Sequence, residues 1–156
     1  MRNVLVVGGT GFVGHRLVRA LSAQGVYCRV AARNRQPEDA FEPSLVEFVH
    51  TDITHPETLV GLAEGIDTVY NLAGAGHVTA VSEEAYQTFH KVNVTGVENL
   101  ARACAEHPLK RFVHFSSTAA VGPIRSQTIS EQVEPQPRTP YQRSKRQGEI
   151  ALAQVQ

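Results

Sequence analysis

Tyr141 and Lys145 stand four residues apart in the run Tyr141-Gln142-Arg143-Ser144-Lys145. On a helix this spacing puts both side chains on one face, about one turn apart. There an ammonium favours the phenolate and readies the tyrosine to give or take a proton near neutral pH. At the other end of the chain lies Gly8-Gly9-Thr10-Gly11-Phe12-Val13-Gly14. Gly8 lets the chain turn tightly out of a strand. Gly11, with no Cβ, lets the backbone approach a diphosphate, and Gly14 lets the next helix pack closely. That helix's first amides and its partial positive charge would face the phosphates. A glycine-rich turn without a ligand is the plain alternative, but the motif lies between a strand and a helix, the context that confirms it.

A dinucleotide cradle of this kind usually has an acid at the end of strand 2 to hold the ribose hydroxyls. No acid occurs between Val26 and Pro37, and strand 2 ends Ala31-Ala32-Arg33-Asn34-Arg35. A small residue followed by guanidinium groups removes repulsion and suits a 2′-phosphate, so NADP(H) is favoured over NAD(H). Arg33 and Arg35 as solvated loop charges is the competing reading.

The elements that must position these groups alternate from the start. Asn3–Val7 reads as a buried strand, and the helical stripe of Phe12–Gln24 (Phe12, Val13, Leu17, Val18, Ala20, Leu21) ends at Gly25. Tyr27–Ala32, Leu45–Val49, Thr68–Leu72 and Arg111–Ser116 read as four more strands. Pro56–Ala63 is a short helix, a long helix covers Glu83–Glu106, and another starts near Tyr141. Gly122 to Pro140, with four prolines, is a loop. Alternation predicts right-handed βαβ units and an α/β Rossmann-type doubly wound parallel sheet, order 3-2-1-4-5.

Fifteen basic and fifteen acidic residues cancel, so no global field recruits nucleic acid or an anionic membrane. The first apolar run is too short to span a bilayer and lacks the layout of a signal peptide. A cytoplasmic location is expected. Cys28 and Cys104 have no CxxC partner and read as buried reduced thiols. The seven histidines form no metal-ligand motif, and no metal is expected.

Glycines at i, i+3 and i+6, followed by Tyr141-x-x-x-Lys145, resemble the extended short-chain dehydrogenase/reductase family of the NAD-dependent epimerase/dehydratase type. The resemblance spans the whole chain. It places Asp52-Ile53 after strand 3 beside an adenine, although Asp52 reads equally as a helix cap or turn residue. Asn71-Leu72-Ala73-Gly74 matches the family's N-x-A-G segment, where Leu72, Ala73 and Gly74 pass the cofactor riboses. Phe115-Ser116-Ser117-Thr118-Ala119-Ala120-Val121 resembles F-S-S-[ST]-A-x-V and puts Thr118 in the catalytic hydroxyl position, with Ser117 second. Local capping by these hydroxyls is the alternative. Asn93 matches the supporting asparagine of the central helix; an exposed helix asparagine is the duller reading. Lys145 is also implied to hold the nicotinamide ribose. The family usually has Tyr-Gly after the valine, whereas Gly122-Pro123 stands here, a departure at the local substrate contacts.

The resemblance implies hydride-transfer chemistry on a carbinol or ketone, with a nucleotide sugar as one substrate class, by epimerisation, dehydration or oxidoreduction. It also implies a homodimer through the helices from Glu83 and from Tyr141. The chain is expected to be one cofactor-binding domain over residues 1–156, a truncated part of a longer enzyme without its substrate lobe. A non-catalytic dinucleotide-binding scaffold or redox-sensing partner is the alternative.

Overall fold

The computed structural model describes residues 3–34, 41, 44–76, 82–123 and 128–155. The chain forms two compact units, one of Met1–Ala73 with Asn99–Phe115 and one of Gly74–Glu98 with Ser116–Gln156.

The first unit holds the sheet. Strands β1 (Asn3–Val7), β2 (Tyr27–Ala32), β3 (Val46–His50), β4 (Thr68–Asn71) and β5 (Arg111–His114) are all parallel, in the order β3-β2-β1-β4-β5. This is the Rossmann-type order expected from the alternation. Val4, Leu5, Val6 and Val7 are all buried, as a central parallel strand requires. Helix α1 (Phe12–Ser22) follows β1. Its Val18, with Leu17 and Leu21 beside it, packs into a cluster with Val4, Val6, Cys28 and Val30. The predicted stripe fails at its first turn. Phe12 is 77% exposed and Val13 51%, with the Arg16 guanidinium lying 3.8 Å from the Phe12 ring centroid. Burial resumes only further along the helix, at Gly14 and Val18.

β3 starts one residue later than the apolar run indicated, and β5 ends at His114, two residues early. Pro56–Leu59 is a 3₁₀ turn shorter than the expected helix. Val7 pairs with both Ala31 and Asn71, so β1 and β4 finish level and β2 runs one residue further, to Ala32. That common edge carries the glycine loop.

In the second unit, α2 (Glu83–His90) is capped by Ser82, whose hydroxyl accepts from the Ala85 amide. It continues into a π-helical stretch, Lys91–Gly96, before α3 (Val97–Ala105), whose residues from Asn99 onward belong to the first unit. Sequence periodicity gave one unbroken helix here. A 3₁₀ turn, Thr118–Val121, precedes the proline-rich loop, and α4 (Pro140–Ala153) closes the described chain. Among the described residues no helix is long and apolar enough to cross a membrane.

Candidate functional site

In the first unit the glycine loop is shaped by backbone contacts that leave no room for side chains. Gly8 has φ +78°, and its N–H donates to the Ala31 carbonyl at 2.8 Å. A Cβ there would lie 2.8 Å from the Ala73 nitrogen, so the exit of β4 runs directly against this turn. At Gly14 a Cβ would come within 2.3 Å of the Gly8 carbonyl oxygen. Gly14 thus lets α1 start against the loop itself. At Gly11 a Cβ would meet only the Gly8 oxygen, at 3.3 Å, and the residue is exposed. Thr10 is half-buried beside it.

Helix α1 begins without help from side chains. Its cap, Gly11, supplies no side-chain acceptor, and no acid stands in the first turn. The amides of Phe12 and Val13 therefore face outward with the positive end of the helix. A diphosphate fits this arrangement: the donors are backbone, the approach is open, and the field has the right sign.

Arg33 is exposed just past the buried Ala32. Arg35 lies outside the described residues. Asp52 holds a local turn: its Oδ1 accepts from the Thr54 amide at 2.9 Å and the Thr54 hydroxyl at 2.8 Å. Burial works to raise its pKa, but the two Thr54 bonds, with Arg33 and His55 adding positive charge, hold the carboxyl below its ordinary range. Ile53 is buried, and its carbonyl accepts from Asn99 Nδ2 at 3.1 Å. Asn71 is fully buried at the end of β4, where its Oδ1 accepts from the Ala73 amide at 3.1 Å. Leu72 and Ala73 are half-buried. Cys28 and Cys104 are buried free thiols, pushed up by burial to about 11 and about 12.

In the second unit, Thr139-Pro140-Tyr141-Gln142 forms a capping box. The Thr139 hydroxyl accepts from the Gln142 amide at 3.2 Å, and Gln142 Oε1 accepts from the Thr139 amide at 3.1 Å. With Pro140 in the first turn, this fixes where α4 starts, hence the face shared by Tyr141 and Lys145. The Tyr141 ring is half-buried and meets Phe89 edge-on, centroids 5.6 Å apart. Exposed Gly74 and half-buried Gly76 belong to the same unit, and a Cβ at Gly76 would lie 3.8 Å from Tyr141 Cε2. Lys145 is only 5% exposed. Burial pulls its ammonium below the ordinary lysine range, and the Glu149 carboxylate acts in the opposite sense.

Asn93 is not an exposed helix residue. It is 2% exposed within the π-helical stretch, accepting from the Ala75 amide at 2.8 Å and donating to the Ala75 carbonyl at 3.0 Å. It also donates to Ser144 Oγ at 3.0 Å, and Ser144 donates to the Tyr141 carbonyl at 2.8 Å. A Cβ on Gly148 would lie 2.1 Å from the Asn93 carbonyl oxygen. Sequence reasoning missed Ser144 and Gly148. Both sit within or just after the Tyr-Lys motif at positions whose partner is remote along the chain.

Three hydroxyls in a row have three different fates. Ser116 Oγ donates to Glu149 Oε1 at 2.5 Å. Ser117 caps the 3₁₀ turn, accepting from the Ala119 amide at 3.1 Å. Thr118 is exposed, and among the described residues its hydroxyl makes no hydrogen bond. Ser117 Oγ is thus engaged as an acceptor in a local cap, while the Thr118 hydroxyl is exposed. Gly122 (φ +79°) sits where a Cβ would meet the Gln136 oxygen at 2.2 Å, so Gly122-Pro123 is built into the return of the proline-rich loop.

Comparison with known proteins identifies the family. The model of the NAD dependent epimerase/dehydratase family matches residues 4–156. A 3-beta-hydroxysteroid dehydrogenase of Mycolicibacterium neoaurum is 38% identical over 122 residues, 76% of this chain and 32% of that enzyme. A ceramide reductase of Caulobacter vibrioides is 35% identical over 150 residues, 96% of this chain and 41% of that enzyme. The UDP-glucuronic acid 4-epimerase of Bacillus cereus, in complex with UDP-glucuronic acid and NAD, superposes with a TM-score of 0.85 at 27% identity, over 96% of this chain and 50% of that one. The chain therefore spans half or less of the length of these proteins. With its family pattern matched from the first strand to the Tyr141 helix, the chain belongs to the NAD dependent epimerase/dehydratase family.

Proposed function

We propose that this chain binds a nicotinamide dinucleotide, NADP(H) in preference to NAD(H), and carries the proton-handling residues of a reaction at a carbinol or ketone carbon. The observation that carries the reading is the glycine loop: a Cβ-intolerant turn leading into a helix whose first amides have no side-chain acceptor. Gly8, Thr10, Gly11, Phe12, Val13 and Gly14 would receive the diphosphate, and Arg33 the 2′-phosphate. Asp52, Ile53, Leu72, Ala73 and Gly74 would border the adenosine and riboses. When bound, the nicotinamide accepts or donates a hydride. Tyr141 would move the proton at the substrate oxygen, and Thr118 would hydrogen-bond that oxygen. Lys145 would favour the phenolate and hold a ribose, with Asn93 keeping α4 in place.

Curated relatives above 30% identity carry the names 3-beta-hydroxysteroid dehydrogenase, ceramide reductase and 2-alkyl-3-oxoalkanoate reductase. These names support an apolar alcohol or ketone as substrate class. The structural neighbours in complex with UDP-sugars support a nucleotide sugar at lower identity.

Calorimetry with NADP⁺ and NAD⁺ on wild type and Arg33→Ala tests the cofactor. Wild type should bind NADP⁺ more tightly, and Arg33→Ala should lose that margin, about tenfold or more if the guanidinium pairs with the phosphate. Tighter NAD⁺ binding by wild type refutes the preference. Tyr141→Phe should retain cofactor while abolishing turnover of a 3-hydroxysteroid or UDP-sugar panel by the natural protein. Unchanged turnover would sink the catalytic assignment.

A further inference from the structure

Glu149 lies one turn beyond Lys145 on α4. Its two oxygens have separate partners: Oε1 accepts from Ser116, 33 residues earlier, and Oε2 pairs with Arg146 Nη1 at 2.9 Å. An ion pair as exposed as the one with Arg146 adds little to stability, too little to be its purpose. The bond to Ser116 is different in kind. It ties helix α4 to a segment two residues before Thr118, the one hydroxyl of three with no bond among the described residues. The same carboxylate is the countercharge on the face of α4 that carries buried Lys145.

We propose that Glu149 is a positioning residue: one carboxylate, steadied by Arg146, fastens the Ser116–Thr118 segment to α4 and supplies the countercharge for buried Lys145. Its relevance to chemistry rests on the roles proposed above for Thr118, Tyr141 and Lys145; the physical coupling itself does not. The elements packed against α4 bring other ionisable groups. These are Glu83, Glu84, Tyr86 and His90 on α2 and Lys91 on the π-helical stretch, with none in the Thr118–Val121 turn. On α4 itself stand Tyr141, Arg143 and Arg146. Of the charged groups on α4, Glu149 is the one that favours the Lys145 ammonium, so its loss should lower the pH at which Lys145 gives up its proton.

The chain has three lysines, Lys91, Lys110 and Lys145, so ¹³Cε-lysine NMR follows each one, with Lys145→Arg assigning the third signal. In Glu149→Gln the amide oxygen still accepts from Ser116 while the charge is gone. Lys145 should then lose its proton at lower pH than in wild type, with Lys91 and Lys110 unmoved. Amide exchange at Ser117–Ala120 should stay at the wild-type rate in Glu149→Gln and quicken in Glu149→Ala, which frees Ser116. A Lys145 titration unchanged in Glu149→Gln, or exchange unchanged in Glu149→Ala, overturns the proposal. NADP⁺ affinity is measured alongside. If wild type binds no nicotinamide nucleotide yet both NMR changes appear, the positioning role stands and the functional reading falls. If it binds and neither change appears, the positioning role alone falls.

Discussion

The glycine loop after β1 and the start of α4 solve the same problem, holding reactive groups still, with opposite materials. The loop works by omission. Its donors are amides, and its precision comes from places where a single carbon would collide with backbone: 2.8 Å at Gly8 and 2.3 Å at Gly14. The α4 region works by accumulation. Asn93, Ser144 and Lys145 are polar side chains buried to 5% exposure or less, and each must be answered by a partner. The first design is damaged by adding atoms, the second mostly by removing them.

Gly148 is the exception that makes this contrast testable, because it places an omission inside the second region. Intrinsic propensity favours alanine over glycine in a helix by about 1 kcal/mol. A Cβ 2.1 Å from the Asn93 oxygen should reverse that sign. Gly148→Ala and Gly14→Ala should each lose roughly 3 kcal/mol in urea unfolding. A neutral or stabilised Gly148→Ala would mean the two helices do not approach as described.

Asn93→Ala comes next. It strips partners from the Ala75 amide and carbonyl and from Ser144, an expected cost of about 2–3 kcal/mol by the same measurement. A loss below ~0.5 kcal/mol would show that water replaces the amide, and the region would not depend on accumulated bonds. Thr139→Ala removes one cap and should cost about 1 kcal/mol, with faster exchange confined to the first turn of α4.

The smallest effect carries the most informative sign. Burial depresses the Lys145 ammonium, so between its lowered pKa and the ordinary lysine value the unfolded chain binds more protons than the folded one. Stability linked to this group therefore rises with pH through that window, and the penalty is fully present below it. Lys145→Met should match or exceed wild-type Tm at pH 7, with any advantage narrowing as the pH approaches the ordinary lysine range. A clear loss of Tm at neutral pH would mean that Lys145 supports the fold, and is not held there at its expense.

What the sequence made legible follows the same contrast. Omissions are visible in a string of letters: Gly8, Gly11 and Gly14 announce a cradle wherever strand and helix flank them, and the all-apolar Val4–Val7 announces a strand covered on both sides. The sheet order followed from the alternation together with the dinucleotide-binding pattern of the glycine turn. Accumulated bonds are not visible, because each joins distant positions. Ser144 finds Asn93 51 residues away, and nothing local distinguishes it from a solvated helix serine. Likewise Ser116, Ser117 and Thr118 are interchangeable as letters and acquire separate duties only when α4 brings Glu149 to the first of them. Phe12 and Val13 misled for a related reason: helical periodicity assigns a face, but not where along the helix the sheet begins to cover it.

The π-helical stretch has a consequence for the arithmetic of the long helix. Ala85, Phe89, Asn93 and Val97 are all buried and recur every four residues. On a regular α-helix a four-residue step overshoots a full rotation by about 40°, so such a series would creep around the cylinder. The wider turn over Lys91–Gly96 takes back part of that creep at mid-length. Deleting one residue there would turn Val97 by roughly 100° from the face it shares with Ala85 and Phe89, so the segment should tolerate substitution far better than any change of length.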